Sequence, residues 1–64
     1  MIYLDTWYNA DKEPKPWHCD LTMYNPRSMK FETIMHTEQH AHAKEAKSQA
    51  HQLASTSNYT IKEE

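Results

Sequence analysis

The residues best suited to chemistry are histidines. His36, His40 and His42 lie close in sequence, and a pair at i,i+4 spacing, His36 with His40 or Glu38 with His42, would offer two ligands on one helical face. A structural zinc site needs four ligands. The other donors nearby, His18 and Cys19, are neighbours in a strand pattern and alternate to opposite faces, so both cannot join one site. The three histidines therefore read as exposed residues at a helix start, and neither a metal nor a cofactor is expected.

A second pattern is basic. His40, Lys44, Lys47 and His51 follow i, i+4, i+7, i+11 and would project along one flank of a helix, where they could meet phosphate or an acidic partner. Such stripes are more often solvated surface. A third pattern mixes aromatic and acidic groups: Tyr3, Asp5, Trp7, Asp20, Tyr24 and Glu32 fall, with Ile34, on the strand positions facing away from the helix. Tyrosine and tryptophan carry much of the energy of protein interfaces, and carboxylates beside them favour a basic partner. The alternative is cross-strand stacking for stability alone, or an inverted strand, because a shift of one residue turns every side chain over.

Catalysis finds little support in the residues. No serine stands in a nucleophile motif, His18 and Cys19 point apart, and the carboxylates fall on an open face rather than in a cleft. The chain contains no glycine, which removes phosphate-cradling loops and nucleophile elbows.

The elements that must position these groups follow from alternation and punctuation. Ile2 to Tyr8 reads as a strand with Ile2, Leu4, Thr6 and Tyr8 on one face. Residues 9–16 are charged and carry two prolines, which forbid a helix interior or central strand. Trp17 to Tyr24 alternates well, with Trp17, Cys19, Leu21 and Met23 opposite His18, Asp20, Thr22 and Tyr24. Asn25-Pro26-Arg27-Ser28 suits a type I turn. The return strand, Met29 to His36, is expected to turn Met29, Phe31, Thr33 and Met35 to the core.

Thr37 is then expected as the N-cap of a helix from Glu38 to Ala54, whose inner stripe is Ala43, Ala46, Ala50, Leu53 and Ala54. Asn58 is the candidate for a left-handed residue after it. Tyr59 to Lys62 reads as a short last strand and Glu63-Glu64 as a solvated tail. The expected fold is one α+β domain over residues 1–64, an antiparallel sheet of three or four strands with one helix on one face, in the order βββαβ.

Composition sets the bounds. A chain of 64 residues buries only about 60% of its unfolded surface, so stability is marginal unless a partner helps. Valine is absent, and the two tryptophans, four tyrosines and four methionines must fill what core there is. The single Cys19 closes no internal disulfide, which suits a reducing compartment, and no apolar run is long enough to span a membrane. Cytoplasm is expected. The formal net charge of -2 disfavours direct binding to nucleic acid.

The stretches KFETIMHT, HAHAKEAKSQAHQLA and SNYTIKEE together resemble the C-terminal half of small βββαβ proteins. Similar architecture occurs in bacteriophage-encoded inhibitors, among them an RNA polymerase inhibitor and several anti-CRISPR proteins. The likeness is one of size, element order and charge. It implies a phage or mobile-element inhibitor that occludes a surface of a host protein, often one that handles nucleic acid. Two rivals remain at this stage: a small nucleic-acid-associated protein using Arg27, Lys30, Lys44 and Lys47, and a homo-dimer that buries its aromatic face against its own copy.

Overall fold

Alternating apolar and polar residues bounded by Asn and Pro give three strands, β1 (Tyr3–Tyr8), β2 (Trp17–Asn25) and β3 (Lys30–His36), in a computed structural model that describes residues 1–62. They form an antiparallel sheet in the order β1-β2-β3, followed by a single helix, α1 (Ala43–Thr56). The arrangement is α+β.

The helix is faced with alanine, and this decides how it packs. Ala46, Ala50 and Ala54 are buried at four-residue intervals, so the helix backbone can lie close to the sheet. Ile2, Cys19 and Leu21 fill the space beneath, with Leu4, Trp17, Met23, Met35, Leu53 and Ile61 partly buried around them. The helix rests chiefly on β2 and β1.

Three expectations need correction. Thr37 does not cap the helix: it is buried, its hydroxyl accepts the Cys19 N–H at 2.9 Å, and its own N–H donates to the Cys19 carbonyl at 2.9 Å. Residues 37–40 instead run on beside the start of β2, where Trp17 and His40 exchange backbone hydrogen bonds. The helix begins at Ala43, with His42 as an N-cap that makes no side-chain capping bond.

The second correction concerns β3. Its register with β2 slips between Leu21 and Thr22: Met35 pairs with Leu21 but Thr33 with Thr22, leaving Ile34 as the extra residue of a bulge. Only Met35 keeps its expected inward position. Phe31, Thr33 and Glu32 all change faces, and Met29 is not in the strand at all.

The last expected strand is reduced to one parallel bridge between Ile2 and Ile61. The Ile2 N–H donates to the Thr60 carbonyl and its carbonyl accepts the Lys62 N–H, both at 2.8 Å. The expected Glu63-Glu64 tail lies outside the described residues.

Without glycine, two other residues take the left-handed backbone that tight reversals need. Asn58 has φ 60° just past the helix, as expected, and Met29 has φ 57° at the end of the β2–β3 turn. That turn is held by the Asn25 side chain, whose oxygen accepts the Arg27 N–H at 2.9 Å. The loop 9–16 forms a short 3-10 turn at Ala10–Lys12 with Asn9 accepting from Asp11, and the Glu13–Pro14 peptide is cis.

Candidate functional site: the outer sheet face

Strand alternation and the bulge together compose the face turned away from α1. From β1 it receives Tyr3, Asp5 and Trp7, which pair with Thr22, Asp20 and His18 of β2. From β3 it receives Phe31, opposite Tyr24, then Thr33 opposite Thr22 and, beyond the bulge, His36 opposite Asp20.

One end of this face is aromatic. Phe31 meets Tyr24 and Tyr3 edge-on, with ring centroids 5.3 and 5.2 Å apart. Tyr3 and Phe31 stand on strands separated by β2, so their rings must lean over it to touch. Thr22, directly below, is only 7% exposed, and its hydroxyl donates to the Tyr3 carbonyl at 3.4 Å. Phe31 and Tyr24 nevertheless keep 58% and 44% of their surface in solvent. The Lys62 ammonium sits 5.8 Å from the Tyr3 ring centre, a cation–π distance.

The middle of the face is acidic. Asp5 stands directly across from Asp20, a like-charge pair of the kind that destabilises a sheet. The Asp20 carboxylate lies beside His18, whose Nε2 is 3.4 Å from its Oδ1. The His18 Nδ1 is buried without a hydrogen-bond partner. A proton on Nε2, directed at the carboxylate, leaves only a bare lone pair on Nδ1, which is cheaper to bury than an N–H. Trp7, 53% exposed, closes the far end beside His18.

The expected partner-binding residues therefore divide. Tyr3, Asp5, Trp7, Asp20 and Tyr24 share the outer face as expected. Glu32 does not: it pairs with Met23 on the opposite side and accepts a hydrogen bond from Asn25 Nδ2 at 2.7 Å. In its place stands Phe31, which alternation alone assigned to the core. Ile34, the bulged residue, lines a shallow groove with Met23, Pro26 and Glu32.

The expected basic stripe is broken. His40 lies before the helix, held through Nε2 at 2.6 Å from Gln49 Oε1. Lys44 shares a groove with His40 and Glu45, whereas Lys47 and His51 border a different one, beside Tyr3, Asp5 and Lys62 at the β1 edge. Arg27 and Lys30 belong to the β2–β3 hairpin and Lys44 and Lys47 to α1, so the four cations of the nucleic-acid alternative divide between two elements. Among the described residues no three His, Cys, Asp or Glu side chains converge as metal ligands.

Among the described residues two titrating groups are displaced from their ordinary values. Burial pushes the Cys19 thiol up, against a smaller lowering from the Thr6 hydroxyl. The Tyr8 phenol is raised by its hydrogen bond to the Glu13 carboxylate, 2.8 Å away. Both changes keep these groups protonated at neutral pH, so Cys19 is a weak nucleophile.

Among the described residues no helix is long and apolar enough to cross a membrane. No protein-family model, curated protein or solved structure matches the chain.

Proposed function

We propose that this protein is a non-catalytic recognition module that uses its outer sheet face to dock on a basic surface of another protein. The observation that carries the reading is Asp5 held opposite Asp20 between exposed aromatic residues. A like-charge pair across two strands lowers stability, and breaches of a local rule are expected where function demands them. Rings flanking the carboxylates supply the large, rigid contact area of an interface hot spot. The Lys62 contact on Tyr3 is an internal example of how a partner's lysine or arginine would be received.

Basic protein surfaces of this kind are commonly those that hold phosphate. We infer a partner that handles nucleic acid in a host cell, with the module blocking that surface, as an inhibitor carried by a phage or other mobile element would.

The test is affinity capture from a bacterial lysate with wild type and an Asp5→Lys/Asp20→Lys variant, beside titration of both with a poly-arginine and a poly-glutamate peptide. The expected result is a captured set, and a poly-arginine response, lost in the folded variant and weakened by salt. Equal capture by both, or a preference for poly-glutamate, would remove the site.

A further inference from the structure

We propose that the outer edge of β3 pairs with the same edge of a second copy of this chain, antiparallel about Phe31, forming a six-stranded sheet across a two-fold axis. This goes beyond the recognition reading and does not depend on it.

The direction of the backbone groups follows from the hydrogen bonds. Ile2 spends its N–H and C=O outward, on Thr60 and Lys62. Its neighbours at every second place, Tyr3, Asp5 and Trp7, therefore point theirs inward to β2. On β2 the groups of Cys19, Leu21, Met23 and Asn25 must then face β3, and the Cys19 bonds to Thr37 agree. Glu32 and Lys30, the partners of Met23 and Asn25, bond inward, which leaves the N–H and C=O of Phe31 directed at the open edge.

The two edges of the sheet are not equivalent. The β1 edge is engaged at Ile2, while among the described residues nothing pairs with the outer edge of β3. An isologous pairing of β3 with itself uses up that edge and closes, instead of propagating as a filament.

Side-chain charge selects the register. With Phe31 opposite Phe31 of the second copy, Lys30 stands opposite Glu32 of the second copy, and the symmetry repeats this pair. A register centred on Thr33 would run through the bulge at Ile34, and one centred on Met29 would run through the turn. The outer faces of both copies then lie on the same side, with the two Phe31 residues opposed across the axis.

The contact is short, which places it among weak associations, with a dissociation constant on the order of 100 µM. Sedimentation equilibrium from about 10 µM to about 1 mM should show the mean mass rising toward that of a dimer. Lys30→Glu and Glu32→Lys should each weaken association about ten-fold, two pairs turning from attraction to repulsion, and the double exchange should restore it. Loss of the Asn25–Glu32 bond is common to Glu32→Lys and the double exchange, so recovery isolates the pairing. In the wild type, exchange of the Phe31 amide should slow as concentration rises by more than that of Ala50, which gains only the stability that association confers on the whole fold. A monomer throughout, a double exchange that fails to restore the dimer, or Phe31 exchange independent of concentration would overturn the proposal.

Discussion

Replacing Asp5 by asparagine should make the protein more stable and a poorer binder. Asp5 and Asp20 form a directly opposed pair in which the backbones exchange hydrogen bonds, the geometry that keeps side chains farther apart than in the alternate pairs. Asp5 is exposed and Asp20 half-buried, so solvent weakens their repulsion and the relief falls at the middle of the cross-strand range, about 0.5 kcal/mol. For a chain of 64 residues the entropy of unfolding is about 130 cal/mol/K, so the melting temperature should rise by about 4 °C. Asp5→Lys, which converts repulsion to attraction, should roughly double that gain. The assay is thermal denaturation followed by circular dichroism at pH 8, above the ordinary imidazole range, in low salt and again at about 1 M salt, where the Debye length is about 3 Å. The gain should shrink in high salt. A melting temperature that falls in Asp5→Asn, or a gain indifferent to salt, would show that the carboxylates do not repel and would remove the main argument for a functional face.

Other outcomes follow from the packing. Thr37→Val should cost about 1–3 kcal/mol in urea denaturation by leaving the buried Cys19 N–H without its acceptor, while Thr37→Ser retains most of the stability. Ala50→Leu should cost about 1–3 kcal/mol in the same assay, because the helix lies too close to the sheet for a larger side chain. Because burial raises the Cys19 thiol, the unfolded chain ionises first as pH rises; stability is therefore full below the ordinary thiol range and should decline above it, and Cys19→Ala should lose that decline. Phe31→Ala should expose Thr22 and lower stability by about 0.5–1.5 kcal/mol, read by denaturation, with the fold preserved.

The parts of this fold that sequence discloses are those governed by strict alternation. Both faces of β1 and β2 follow from residue order, as do the alanine stripe and the left-handed Asn58. What eludes such reading is local competition. Thr37 has the chemistry of a helix cap, but its hydroxyl is claimed by a strand amide distant in sequence, so the helix starts later. The bulge at Ile34 has no marker in residue type: Phe31 and Met35 share the same alternation, yet only Met35 faces the core. The outer face is thus legible at Tyr3, Asp5, Trp7, Asp20 and Tyr24, and departs from alternation at Phe31, Glu32 and Thr33, on the strand where the ladder slips.

The bridge between Ile2 and Ile61 has a consequence for the order of events during synthesis. It joins the first strand to a segment made after the helix, so it closes nearly the longest loop the chain contains and forms after more local contacts. Until then the backbone groups of Ile2, at the entrance to β1, stand unpaired as well as the open edge of β3, and a nascent chain can pair wrongly at either place. Thr60 to Lys62 thus act as a latch whose timing, more than its strength, sets how long Ile2 is exposed to neighbouring chains.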